Sequence, residues 1–160
     1  MKNNFILALI ATAVAFGACE KPTEEIYAPS SKLEGINDVW MLTEVHQYDP
    51  SDKEKENVLD VSELFVDNNI ELTVNSENFT YTFNQADPLF MGETGIWEFD
   101  NNEAPSKIQF KSIANNDTLN FDCNLNRTVR AVDATLEFEL TRYCEGGTPT
   151  TIYQYKFRRK

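Results

Sequence analysis

His46 is the one histidine in the chain, and so the one side chain whose ordinary pKa suits general-base work near neutrality. It stands two positions after Glu44. A strand with period two through this segment puts Trp40, Leu42, Glu44 and His46 on one face. A Glu–His pair at the mouth of a barrel would orient a proton transfer and support hydrolase-like activity. Two polar residues at the solvent end of a strand account for the same pattern. No Gly-x-Ser-x-Gly elbow occurs, and no cysteine stands in a reactive-site motif. The expectation is a protein that is not an enzyme.

Metal chemistry fares no better. The carboxylates at Asp49, Asp52, Asp100, Glu103 and Asp117 sit in stretches such as "DPSDKEKEN" and "DNNEAPS". These lack the glycine turn and alternate oxygen ligands of a calcium loop, so solvated turns are expected, with no metal and no cofactor. Cys123 and Cys144 make no Cys-x-x-Cys pair and lie far from the histidine in sequence, which excludes zinc spacing. They are candidates for a disulfide. In the hairpin register that sets them opposite each other, the tip falls at Asp133-Ala134, Leu125 faces Arg142 and Phe121 faces Gly146; a wider loop over 126–133 separates them.

The aromatic residues are the strongest candidates for ligand contact. Trp40, Tyr81, Trp97, Tyr153 and Tyr155, with Glu44 and His46, combine apolar surface with hydrogen-bonding tips and are expected to border a barrel mouth. That mixture suits a neutral apolar small molecule or a saccharide. Inward Phe79, Phe83, Phe99, Phe110, Phe121, Phe138 and Phe157 are bulky enough to fill the same barrel, so a closed interior is the competing expectation. A formal net charge of −12 excludes a nucleic-acid partner, which needs clustered Lys and Arg.

The elements that must hold these residues begin with an export signal. Lys2 and two asparagines precede the apolar run "FILALIATAVAF" at 5–16, the layout of a signal peptide and too short for a bilayer span of roughly 20 residues. Cleavage before Cys19 leaves bulky Phe16 where an ordinary signal peptidase wants a small residue. Phe16-Gly17-Ala18-Cys19 resembles a bacterial lipoprotein box, which implies lipidation of Cys19 as the mature amino terminus. Two or three acyl chains make a lasting anchor where one holds marginally. Residues 1–18 are thus read as signal peptide and 19–34 as lipidated terminus and tether, the latter charged, proline-bearing and without an apolar period. "EKPTEE" behind the cysteine resembles surface-export signals of Bacteroidota lipoproteins, implying an outer-membrane location on the cell surface, with the periplasmic face as the alternative. Asp117-Thr118-Leu119 resembles a short O-glycosylation sequence, implying Thr118 as the acceptor.

Residues 35–160 read as one domain of eight strands: 39–47, 69–74, 79–84, 94–100, 107–113, 118–125, 135–142 and 151–158, each with one large apolar face. Short turns such as Asn101-Asn102 and Gly146-Gly147 pair successive strands antiparallel. The acidic start and apolar spacing of 60–65 suit a short helix between strands 1 and 2. The fold class expected is all-β, an eight-stranded antiparallel up-and-down barrel that leaves no free edge, with a sandwich as the alternative. Gly95-Ile96-Trp97, the variant Asp38-Val39-Trp40, "GIWEFD" at 95–100 and "YQYKFRRK" at 153–160 resemble an uncharacterised family of lipocalin-like domains in Bacteroidota surface lipoproteins. The resemblance implies a lipocalin-like barrel and carries no established activity. The function expected is a membrane-anchored, non-catalytic binding or accessory module; the alternative is a closed structural or interaction barrel serving outer-membrane proteins.

Overall fold

The computed structural model describes residues 31–86, 89, 91–114 and 117–160. Within them the chain forms a closed antiparallel barrel of eight strands plus one two-residue strand: β1 (Asp38–Tyr48), β2 (Leu59–Asp60), β3 (Glu71–Asn75), β4 (Thr80–Phe83), β5 (Thr94–Phe99), β6 (Lys107–Ala114), β7 (Asp117–Leu125), β8 (Thr135–Tyr143) and β9 (Pro149–Arg159). Each strand from β3 to β9 pairs with the next, and β9 returns to β1 along eight residue pairs from Trp40–Arg159 to Tyr48–Ile152. Closure follows from the sequence pattern: every long strand has one apolar face to bury and no outer layer to bury it against.

The inner faces meet in one core. Trp40, Trp97, Tyr81, Tyr155, Phe83, Phe110, Phe138 and Phe157 are each less than 2% exposed. Their rings meet edge-on, tilted or, for Phe138 and Phe157, stacked, with Phe110 and Phe138 centroids 5.6 Å apart and Tyr81 and Phe110 centroids 5.0 Å apart. Burying each such ring contributes about 1.5–3 kcal/mol, and aromatic pairs add about 0.5–1.5 kcal/mol. Gly95 belongs to this packing because a Cβ there would strike the Lys111 carbonyl and the Tyr81 ring.

Both ends are covered. At the base, helix α1 (Lys32–Ile36), capped by the Ser31 hydroxyl, turns Ile36 inward, and Val129 of the β7–β8 loop is buried in the same core. At the top, the β4–β5 connection drops Leu89 and Met91 into the core, and the Tyr81 hydroxyl donates to the Met91 carbonyl at 2.8 Å. Gly92, at φ +78°, lies so close to Ser112 that no other side chain fits.

Three expectations need correction, and one needs a small shift. The tether read as running through residue 34 ends sooner, because 32–36 are helical; five residues are too few to display a helical period, and α1 is held by tertiary contacts. The short helix expected at 60–65 is present as single 3₁₀ turns at Ser62–Leu64 and Val66–Asn68, shifted a little along the chain because Asp60 pairs with His46 in strand β2 and then accepts from the Ser62 N–H. Phe79, expected inside, is 40% exposed. The disulfide is absent: Cys123 lies opposite Leu140, four positions short of Cys144, so about 13 Å of strand separates the two sites. Cys123 is buried and Cys144 exposed. The hairpin tip sits near Ala131-Val132, which moves the register away from the bridge.

Candidate functional site

The residues expected to border a mouth do not converge. Strand β1 carries a bulge between Leu42 and Glu44, so Thr43 and Glu44 together oppose Lys156. Thr43 Oγ1 donates to the Lys156 carbonyl at 2.9 Å. Trp40, Leu42 and Val45 point inward and are almost fully buried, which leaves Glu44 and His46 on the outer face. There Glu44 pairs with Lys156 at 2.7 Å, and His46 sits between Gln154 on β9 and Asp60 on β2. Hydrogen bonds from Ser62, helped by His46, hold the Asp60 carboxyl below its usual range. Glu44 and His46 do not share an enclosed site.

Trp40 lies at the base, not at a mouth. Its Nε1 donates to the Ile36 carbonyl at 2.9 Å, and the Arg159 guanidinium stacks 4.9 Å from its ring centroid. Arg159 also donates to the carbonyls of Ala131 (2.6 Å) and Gly35 (2.8 Å) and pairs with Asp38 at 3.0 Å. One side chain thus ties β1, β9, α1 and the β7–β8 loop together. Trp97 is also near the base, its Nε1 donating to the Asn75 carbonyl at 3.1 Å.

Tyr81, Tyr153 and Tyr155 belong to the upper half. Tyr153 stacks on Tyr155 with centroids 6.2 Å apart. Burial pushes the Tyr155 phenol up, and the nearby Arg142 opposes that shift. Arg142 Nη2 donates to the Leu89 carbonyl at 2.9 Å, and its guanidinium lies 5.9 Å from the Phe121 centroid. The upper interior is therefore occupied by the chain's own groups. Beside it the β7–β8 ladder is short, pairing only Cys123, Asn124 and Leu125 with Leu140, Glu139 and Phe138. A cleft of about 440 Å³ opens between the two strands above that point, reaching Phe121 and Arg142.

A second hollow, of about 430 Å³, lies on the side of the base. Strand β4 starts at Thr80, opposite Ile96, so β5 runs on past it with Trp97 and Phe99. Phe79 leans over this step, 5.6 Å from Trp97 between centroids, and Trp97 stands 5.1 Å from Phe99. Ile96, Asn78, Glu98 and Asn102 complete the wall. Below it, hydrogen bonds from the Ser106 hydroxyl and from the Ser106 and Lys107 N–H groups pull the Asp100 carboxyl down to about 2 and fix the β5–β6 turn. Only Trp97 of this group was expected at a ligand site. The missed signal was Phe79 at the end of the polar turn Ser76-Glu77-Asn78, a place where glycine or asparagine is usual.

No group of three or more His, Cys, Asp or Glu side chains gathers to hold a metal among the described residues. Thr118 lies in β7 in register with Ile113. Cys19 and the signal-peptide segment lie outside the described residues.

This arrangement defines a class: a closed β-barrel filled by its own aromatic side chains. The chain belongs to the family described as Domain of unknown function (DUF5004), whose model matches residues 17–158. No curated protein matches it.

Proposed function

We propose that the protein is a lipid-anchored, non-catalytic binding or accessory module that works through the outside of its barrel. The observation that carries this reading is the filled interior: eight large side chains each less than 2% exposed, with Leu89 and Met91 buried above them and Ile36 below. A lipid-carrying barrel of this size keeps its interior open for a ligand; here the core leaves binding to the surface. Glu44 and His46 face solvent on an outer strand face, which favours a role without a catalytic step.

The anchored part of the reading rests on Phe16-Gly17-Ala18-Cys19 behind an apolar run, and the family match begins at Gly17 and so spans Cys19. The location that follows is the outer membrane, facing the cell surface. The partners are the membrane itself, through the lipid, and a neutral saccharide, apolar molecule or outer-membrane protein at the barrel wall. The same filled core favours a second reading, a structural subunit of an outer-membrane complex with no small-molecule ligand.

Metabolic labelling with a fatty-acid analogue tests the anchor. Wild type is expected to carry label and Cys19→Ser to carry none; label persisting in the variant overturns it. Protease treatment of intact cells is expected to degrade the domain, and full protection removes the surface location.

A further inference from the structure

We propose that the hollow at Phe79 is a binding site for a neutral pyranose ring of a glycan. Phe79 adopts φ +56°, a left-handed conformation that bulky L residues rarely occupy. Glycine at this turn position would meet no such penalty. The strained residue keeps its ring 40% exposed and poised over Trp97. Ile96, 48% exposed, extends the apolar floor. Strained backbone maintained at a surface position points to a function for the side chain it presents.

The chemistry of the wall selects the ligand. A pyranose offers a flat C–H face and a rim of hydroxyls. The Phe79 ring and Ile96 supply the matching apolar platform, while Asn78 and Asn102 supply amides that donate and accept together. Asn78 Oδ1 already accepts from Thr80 at 2.6 Å, which fixes its amide plane. Glu98 at the rim is balanced by Lys111 at 2.6 Å, and Glu77 and Glu103 on the flanking turns add negative charge that disfavours an anion and an anionic lipid surface alike. A hollow of about 430 Å³ suits a small ring, whereas a stable protein partner buries roughly 800 Å² of total surface on each side.

This inference rests on the reading of the protein as a module that binds through its outer wall, and its test is independent of the anchor because it uses the Cys19→Ser chain. The chain has two tryptophans, with indole N–H groups bonded to different carbonyls, Ile36 for Trp40 and Asn75 for Trp97. Proton–nitrogen spectra recorded with millimolar cello-, xylo-, malto- and manno-oligosaccharides are expected to show a saturable shift of the Trp97 indole and of the Phe79 and Ile96 amides with at least one of them. The Trp40 indole should stay in place. Phe79→Gly is expected to weaken that binding at least tenfold while leaving the melting temperature equal or higher, and Asn102→Ala to weaken it several-fold. The proposal is overturned if none of the four sugars shifts these signals, if Phe79→Gly binds as well as wild type, or if only neutral phosphatidylcholine vesicles perturb them.

Discussion

The two ends of the barrel are each closed around an arginine, yet they are built differently. At the base, Arg159 stacks on Trp40 and bonds the Gly35 and Ala131 carbonyls and Asp38, so helix, loop and two strands share one cation. At the top, Arg142 holds the Leu89 carbonyl beside a wall in which β7 and β8 pair at only three positions. Charged hydrogen bonds and a stacked cation are strong where they are sheltered. An interrupted ladder leaves backbone groups to water and lowers the cost of local opening. The base should therefore be the last part of the barrel to open and the top the first.

Breaking the base is expected to have the largest effect. Trp40→Ala removes a fully buried ring and the platform under Arg159, and should cost about 3–5 kcal/mol. Arg159→Ala should cost about 2–4 kcal/mol, combining the stacked cation with hydrogen bonds to a charged group. Both are checked by denaturant unfolding followed through Trp97. If Arg159→Ala unfolds at the wild-type midpoint, the base is not latched as described.

Much of this architecture was legible in the sequence. The eight strand ranges follow from period-two alternation and from turns rich in Asn, Asp and Gly, which is why the observed strands begin and end within a few residues of the expected ones. The faces of β1 were not legible as read, because the bulge sets the two polar residues Thr43 and Glu44 in succession and leaves no other compositional mark. The spacing of Trp40, Leu42 and Val45, two and then three, was the available sign. The mouth site failed for that reason and for a second: alternation assigns a side chain to the inside of a barrel but not to its base or its top. The β7–β8 register was hidden by the long 126–134 connection, whose conformation fixes which residues face each other. Phe79 was misread because strand alternation was carried one residue too far into a turn.

The top can be loosened by a smaller change. Arg142→Met keeps apolar bulk beside Phe121 and removes the bond to the Leu89 carbonyl, with an expected loss of about 1–3 kcal/mol. Amide exchange should then quicken at residues 117–122 and at Leu89 and Met91, while the amides of 38–42 and 157–159 keep their wild-type protection. Equal acceleration at both ends would remove the distinction between them.

Tyr48 reports on the outer side of the top and gives a subtler effect. It is 5% exposed, with the Lys55 ammonium 4.9 Å from its ring centroid. Burial, and next the neighbouring Glu139, push its phenol up to about 12, against a partial opposing pull from Lys55. A phenol with a raised folded pKa contributes stability that is complete below its unfolded value near 10 and is lost as pH rises toward 12. The Tyr48→Phe variant should show a shallower fall in stability across that window than wild type. Identical pH profiles would mean that Tyr48 is not sealed by the loop carrying Lys55.

The smallest effect, and the most local, is the labelling of two thiols. With Cys19 replaced by Ser, only Cys123 and Cys144 remain. Cys144 is exposed, while Cys123 is fully buried, and burial pushes its thiol pKa up, so little thiolate is present at neutral pH even when reagent arrives. A short treatment of the native protein with an alkylating reagent should add one group, at Cys144, and full reaction should need denaturant. Slow labelling of Cys123 then measures opening of the wall where the β7–β8 ladder ends, because Cys123 is the β7 residue at which pairing with β8 stops. Arg142→Met should speed it several-fold. Arg159→Ala, at the far end, should speed it only when denaturant brings that variant close to global unfolding. If Cys123 labels as fast as Cys144 in the wild type, the top is open rather than closed; if both variants speed it equally under native conditions, the barrel opens as one unit and its two ends do not differ.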